Sequence, residues 1–390
     1  MAESKDPRAA DTASASEGIS KGRQPFQERQ QRTCLPPAPL GILPTMSAKA
    51  TLVDVEGRPL KLSNLDKVLY PAAGFTKGQV IDYYTRIAPV LLPHLKDRPL
   101  TMKRYPEGVS GMHFYEKNCP THRPEWVQTA KVWSYGNNRW MDYCLVQDLP
   151  TLVWAANLAD IELHTSLSLG TKIDQPTMLV FDLDPGPPAD IVQCCQVALR
   201  LKELFDNLKL QAFAKTSGSK GLQIYVPLNT SITYESTKPF AHELARAFER
   251  KHPDHVVSDM KKVLRTGKVF IDWSQNDQYK TTICVYSLRA KDQPTVSTPV
   301  TWNEVEQCLR KKDPTLLVFD SDAVLKRVDR DGDLFQPVLK LKQKLPAVQA
   351  MLEALGEEKE PSGAKKTEAR IPRATSGKKR PRTATRRKTG

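Results

Sequence analysis

Two apolar runs near the middle of the chain constrain it most, because each delivers polar groups that a buried strand carries only at a site. The first reads M-L-V-F-D-L-D-P-G over 178–186, and the second follows K-T-S-G-S-K-G with L-Q-I-Y-V-P-L to end at 228. Side chains alternate along a strand, so Asp182 and Asp184 share a face with Val180 while Leu179, Phe181 and Leu183 point the other way. Two carboxylates aimed at one point repel unless a proton or a cation lies between them, and oxygen-only ligands suit magnesium or manganese. An Asp at a strand end also serves simply to cap the next helix, and for an isolated D-x-D that alternative stands.

The loop Ser217 to Gly221 joins strands expected at 211–216 and 222–228. Glycines such as Gly218 let successive backbone N–H groups turn inward as an anion nest, and Ser217, Ser219 and Lys220 add donors suited to a triphosphate. The Walker spacing is absent and a strand rather than a helix follows, so this is not a P-loop. A plain hairpin turn would use the same residue types. Phosphatases of the haloacid dehalogenase type also carry D-x-D after an apolar run. They want Thr or Val two residues beyond the second Asp, where this chain has Gly186.

Around this centre the expected elements are mostly scaffold. T-L-V-D-V-E-G-R-P-L-K-L reads as a hairpin turned at Glu56-Gly57, and a helix fits Lys77 to Leu92 with Thr76 as N-cap and Val80, Tyr84, Ile87 and Leu91 as its apolar stripe. A helix from about Pro150 to Ala159 leads into a strand ending at His164; helices follow at Ala189–Leu208 and Tyr234–Lys251. In K-V-F-I-D-W the same alternation groups Lys268, Phe270 and Asp272, so Asp272 can complete a three-carboxylate set from another strand. The acidic run at 329–333 lacks the spacing of a calcium loop and is assigned no metal.

Taken together, L-V-F-D-L-D-P-G-P, K-T-S-G-S-K-G-L, G-K-V-F-I-D-W-S-Q-N and K-T-T-I-C-V-Y-S-L-R-A resemble the primase-polymerase superfamily, and closely the polymerase domain of bacterial ligase D from non-homologous end joining. Further matches run from about Asp54 to Leu339. The resemblance implies an α/β (α+β) core of two interlocked subdomains, with sheets packed face to face and helices outside. It implies template-directed nucleotidyl transfer by two manganese or magnesium ions on Asp182, Asp184 and Asp272, with nucleoside triphosphates as substrates.

The resemblance also distributes the remaining roles. Lys67 and Lys77 match two lysines that grip a 5′-phosphate on a gapped or broken DNA end, although a lysine is more simply a solvated charge. The basic strand carrying Lys103 leads to Phe114, Tyr115 and Lys117, where the family sets an aromatic pair against the template and Tyr115 stands for a more common Phe. Core aromatics are the plainer reading. His164 moves from a core histidine to a neighbour of the incoming nucleotide. Arg265, Gln275 and Lys280 are candidate DNA contacts, and Arg289 is a candidate triphosphate clamp because guanidinium pairs bidentately with phosphate. Gln223 departs from the family, which carries a histidine in G-L-H. That departure keeps alive a second reading, a catalytically weak DNA-end-binding adaptor.

Charge divides unevenly along the 390 residues. The formal net charge is +14, and residues 357–390 hold 12 basic against 4 acidic residues. Such a tail lacks apolar surface to bury and adds salt-sensitive, sequence-independent attraction to phosphates, or serves only as a solubilising linker. Disorder is expected for 1–50 and for most of 346–390, on either side of a catalytic domain at 51–345; Met46 is a possible second start. No apolar run approaches the roughly 20 residues a bilayer requires, and no signal core is present, so a cytoplasmic, nucleoid-associated protein is expected. Seven cysteines without C-x-x-C spacing read as reduced core thiols. With no ligase or nuclease motif, the expected partners are a separately encoded DNA ligase and a Ku-type end-binding protein.

Overall fold

A computed structural model describes residues 50–356; the stretches before and after, with their expected disorder, lie outside the described residues. The first sheet runs in the order Val256–Val257, Val269–Asp272, Met178–Pro185, Leu222–Pro227, Phe213–Thr216, Pro299–Val300. Its pairings are antiparallel except at the short edge, where Val256–Val257 runs parallel to Val269–Asp272. The second sheet is ordered Thr282–Ile283, Asp160–Thr165, Leu100–Arg104, Arg139–Cys144, Thr129–Ser134, with Phe114–Glu116 paired to Leu100–Arg104.

The central Met178–Pro185 strand is shared between two cores. Leu179, Phe181 and Leu183 enter one, with Leu222, Ile224, Val226, Val269 and Ile271 from neighbouring strands and the helices Ile191–Asn207 and Tyr234–Lys251. Met178, Val180 and Tyr225 enter the other, built on the second sheet with the helices Lys77–Leu95 and Leu149–Asn157. This is the expected mixed architecture of two interlocked halves. Burying one such large apolar side chain stabilises by about 1.5–3 kcal/mol, so the alternation is strongly enforced.

Local signals account for the helix starts. Thr76 caps Lys77–Leu95 through a capping box with Gln79, and the helix runs one turn past the expected Leu92. Asp190 caps Ile191–Asn207 with a second box to Gln193, two residues later than expected at Ala189. Because Asp190 is the cap, Asp182 and Asp184 are released from that explanation. At 329–333, Asp333 accepts from His94 Nε2 at 2.9 Å and from the Tyr286 hydroxyl at 2.8 Å, a structural tie rather than an ion site.

Two expectations change. The folded part extends past 345, since the helix Val348–Ala354 packs Met351 and Leu355 into the first core. The cysteines are not all reduced, because Cys119 and Cys144 form a disulfide; Cys194, Cys195, Cys284 and Cys308 are free and buried. Their 25-residue separation gives no spacing signal. The pairing is tertiary: the Cys119 backbone N–H donates to the Asp142 carbonyl and lays that loop on the end of the Arg139–Cys144 strand. Among the described residues no helix is long and apolar enough to cross a membrane.

Closing a loop of this length stabilises by about 3 kcal/mol. Cys144→Ser is therefore expected to lower the urea midpoint of air-oxidised protein, and dithiothreitol to lower the wild type to the same value. Equal midpoints for oxidised wild type and variant would contradict the crosslink.

Candidate functional site

The floor of the site is set by strand register. Asp182 lies directly opposite Asp272 on one side and Gln223 on the other, and Asp184 lies two residues along, opposite Phe270. Burial, then the charges of Asp184 and Asp272, hold the Asp182 carboxyl well above the usual carboxylate range. Negative charge is thus in excess here. The third carboxylate is, however, turned aside: Asp272 accepts from the Ser274 backbone N–H at 3.0 Å and from Gln275 Nε2 at 2.9 Å. Lys280 donates in turn to the Ser274 hydroxyl. Among the described residues no three His, Cys, Asp or Glu side chains are already gathered around a metal position.

The basic loop forms one wall, with a different use of its backbone than the sequence implies. The Ser217 hydroxyl itself accepts the N–H groups of Ser219 at 3.2 Å and Gly221 at 3.1 Å, so these amides close on a side chain instead of forming an open nest. Ser219 and Lys220 remain along the cleft, with Lys220 Nζ donating to the Pro185 carbonyl at 3.1 Å. Arg289 Nη1 donates to the Ser217 carbonyl at 2.5 Å and Thr295 to that of Gly218 at 2.6 Å, which anchors the loop from behind. Glycine is required where backbones meet: a Cβ on Gly221 would lie 2.3 Å from the Leu183 carbonyl oxygen, and one on Gly186 1.9 Å from that of Arg265.

One residue that sequence reasoning passed over organises the opposite wall. Glu162, 2% exposed, accepts from Lys103 Nζ at 3.2 Å, His164 Nε2 at 3.1 Å and Arg289 Nε at 3.2 Å, and from the Ala290 backbone N–H at 3.0 Å. Burial alone would raise its carboxyl, but the His164 hydrogen bond and the charges of Arg289 and Lys103 hold it far below the usual range. Burial lowers His164, with Arg289 and Lys103 acting in the same direction against Glu162. The signal was present in D-I-E-L-H, where Glu162 and His164 share a strand face two residues apart.

The cleft between these walls has a volume of about 550 Å³. It brings together Asp182, Asp184, His164, Ser217, Ser219, Lys220, Gln223, Arg289, Tyr115, Lys117, Gln275 and Lys280, with Tyr279 and Thr282 added by the structure. Phe114 and Tyr115 are 39% and 58% exposed, which rules out the core reading for both. Lys103 Nζ lies 5.3 Å from the Tyr115 ring. Arg265 stacks on Phe270 at 3.7 Å and lies 3.8 Å from Asp184.

Lys67 and Lys77 are elsewhere, in a small cavity of about 200 Å³ shared with Arg104, Ser63, Asn64 and Asn157. Lys67 pairs with Glu107 at 3.2 Å, and Lys77 Nζ donates to the Ser63 carbonyl at 2.7 Å. Burial, then the neighbouring charges of Lys67 and Arg104, lowers Lys77 to about 8. Arg104 was missed because nothing in the sequence ties it to Lys77 and Lys67, 27 and 37 residues earlier; they meet only through the fold.

Gln223, expected to face the triphosphate, lines the cleft and is held from behind. It is 1% exposed, with Oε1 accepting from Lys215 Nζ at 2.6 Å and Nε2 donating to Thr282 Oγ1 at 3.3 Å, and its side chain also hydrogen-bonds Asp182.

Removing one partner of a buried charge group leaves the others uncompensated, at a cost of about 3–5 kcal/mol. Glu162→Ala is accordingly expected to lose about that much stability in urea titration, and Glu162→Gln less, because the amide oxygen still accepts. A loss below about 1 kcal/mol for the alanine variant would show that Lys103, His164 and Arg289 do not depend on this carboxylate.

The chain is similar to known proteins over most of its described length. Residues 76–335 match the family described as "LigD, primase-polymerase domain". A multifunctional non-homologous end joining protein LigD of Mycolicibacterium smegmatis is 41% identical over 72% of this chain, which spans 36% of that protein. A bifunctional LigD of Bacillus subtilis is 32% identical over 70% of the chain and 43% of its own length. Among solved structures, the polymerase domain of Mycobacterium tuberculosis ligase D in complex with DNA superposes with a TM-score of 0.67 at 38% identity, covering 73% of this chain and 99% of that one. The chain thus spans little more than a third of the first of these relatives, and the shared part contains both sheets and the cleft. With D-x-D, the basic loop and the third carboxylate strand all inside the matched region, the chain belongs to the ligase D primase-polymerase domain family.

Proposed function

We propose that the protein is a metal-dependent nucleotidyltransferase that adds nucleotides to DNA ends or gaps in break repair. The observation that carries the reading is one cleft with carboxylates on its floor and a basic loop, His164 and Arg289 on its walls. Lys220, Arg289 and the Ser217 and Ser219 hydroxyls would hold the triphosphate, and Glu162 keeps His164 and Arg289 oriented toward it. Exposed Phe114 and Tyr115 offer faces on which template bases stack, with Lys103, Lys117 and Lys280 beside the backbone.

The donor set for the metals is Asp182, Asp184 and Asp272. It fits manganese or magnesium in kind, being all oxygen and carrying surplus negative charge; Asp272 would have to exchange Ser274 and Gln275 to take part. Bound there, two such cations would supply charge stabilisation to the attacking 3′-hydroxyl and to the leaving pyrophosphate. The chain's own contribution is alignment: the loop fixes the α-phosphate, and the aromatic pair fixes the template-primer for in-line attack.

The separate cavity of Lys67, Lys77 and Arg104 would take the 5′-phosphate of a recessed end, with DNA as partner. A Ku-type protein and a ligase would act before and after it, at the nucleoid. A catalytically weak end-binding adaptor remains the second reading, favoured by the turned-aside Asp272.

Asp182→Ala and Asp272→Ala are each expected to abolish primer extension while DNA affinity stays within a few-fold, because metal ligands serve the transition state more than docking. Extension at the wild-type rate by either variant would defeat the metal assignment. Preference for a 5′-phosphorylated end should fall about 10- to 150-fold in Lys67→Ala or Lys77→Ala. Since Lys77 is lowered to about 8, the free protein carries its charge below that pH and loses it above. Fluorescence anisotropy should therefore show the preference full near pH 7 and declining above pH 8, a dependence absent from Lys77→Ala. A preference unchanged between pH 7 and pH 9.5 in the wild type would exclude Lys77 from the phosphate.

A further inference from the structure

Lys215 is the least accessible charged group in the first core region, at 0% exposure, and no step above uses it. It stands on the Phe213–Thr216 strand directly opposite Gln223, which is itself opposite Asp182 on the next strand. Its Nζ donates to Gln223 Oε1 at 2.6 Å and to Ser297 Oγ at 2.7 Å. The Ser297 hydroxyl proton is committed to the Thr216 carbonyl at 2.9 Å, so toward Lys215 that oxygen can only accept. The Tyr225 hydroxyl adds a further donor to Gln223 Oε1 at 3.4 Å.

An amide has an accepting end and a donating end, and only the hydrogen bonds around it decide which faces where. Burial lowers the Lys215 amine to about 7, and in either form it has N–H donors for both Ser297 and the amide; the Tyr225 hydroxyl donates to the same end, so the side facing Lys215 is the carbonyl oxygen. The NH2 end is thereby turned to Thr282 Oγ1 at 3.3 Å and to the Asp182 carboxyl, with which the Gln223 side chain hydrogen-bonds. Were the amide reversed, its NH2 would face the N–H and O–H donors of Lys215 and Tyr225, donor against donor, and its oxygen would face the Asp182 carboxyl.

We propose that Lys215 is a positioning residue of the reaction: by fixing the orientation of the Gln223 amide, it makes Gln223 a donor to Asp182 and so sets the Asp182 carboxylate for metal binding. This deepens the functional reading above and rests on it.

The test is a double-mutant cycle on the full chain with Lys215→Met, Gln223→Ala and the double variant. Two quantities are read: single-nucleotide extension with kcat and KM separated, and Mn2+ affinity by calorimetry without nucleotide or DNA. Lys215→Met is expected to lower kcat about tenfold or more with nucleotide KM little changed, and to weaken Mn2+ binding. On the Gln223→Ala background the same substitution should add less than about twofold to either loss, because its target is gone. Full additivity of the two substitutions, or Mn2+ affinity unchanged in Lys215→Met, overturns the proposal.

If Lys215→Met does not fold, Ser297→Ala replaces it. That variant removes one of the two acceptors holding Nζ and is expected to give a smaller loss with the same dependence on Gln223; no loss, or one independent of Gln223, overturns the proposal. Wild-type protein that binds Mn2+ but extends no primer defeats the functional reading instead, and the calorimetric arm then decides the positioning role by itself.

Discussion

The site depends on one strand being shared by two cores. Met178–Pro185 sends Leu179, Phe181 and Leu183 into one apolar cluster and Met178 and Val180 into the other, so its register cannot slip. A shift by one residue would bury Asp182 and Asp184 among leucines and expose Phe181 and Leu183 to the cleft. The neighbouring strands are locked in the same way, through Leu222, Ile224 and Val226 on one side and Val269 and Ile271 on the other. The placement of the three carboxylates on one face is thus a by-product of core packing.

A second layer of order is electrostatic. On the floor, burial and then the charges of Asp184 and Asp272 raise Asp182, and the walls gather positive charge on Arg289, Lys220 and Lys280, with Lys103 behind them on Glu162. Left to themselves the cations would fold down onto the carboxylates. They are instead held by their own partners: Glu162 takes Lys103, His164 and Arg289, and backbone carbonyls take Arg289 and Lys220. Lys215 is absorbed by Gln223 and Ser297. Keeping the two signs apart in this way leaves the cleft open for a ligand that is anionic along one edge and accompanied by cations along the other.

What was legible in the sequence is what strand and helix periodicity control. The alternation around Asp182, Asp184 and Asp272, the Thr76 cap, the Glu56-Gly57 hairpin and the helix Tyr234–Lys251 all follow from local patterns. What was not legible depends on side chains meeting across the fold. Glu162 shows its pairing with His164 in the strand alternation, but Lys103 and Arg289 reach it from a neighbouring strand and a distant loop. Cys119 and Cys144 were taken for thiols because no spacing rule joins them. Local pattern also does not show that the Ser219 and Gly221 amides close on the Ser217 hydroxyl, or that Gln223, in the cleft, is bonded to Lys215. The family resemblance carried the role of each motif, and the geometry shows which residues support them.

The central claim is that Asp182, Asp184 and Asp272 together bind the metals of nucleotidyl transfer. It is tested most directly by anomalous diffraction at the manganese edge from crystals soaked with Mn2+ and a nonhydrolysable nucleoside triphosphate. The account predicts manganese peaks bridged by all three carboxylates, with Asp272 released from Ser274 and Gln275 and the triphosphate lying against Lys220 and Arg289. Manganese bound away from this floor, or Asp272 still held by Ser274 and Gln275 beside a bound nucleotide, would contradict it.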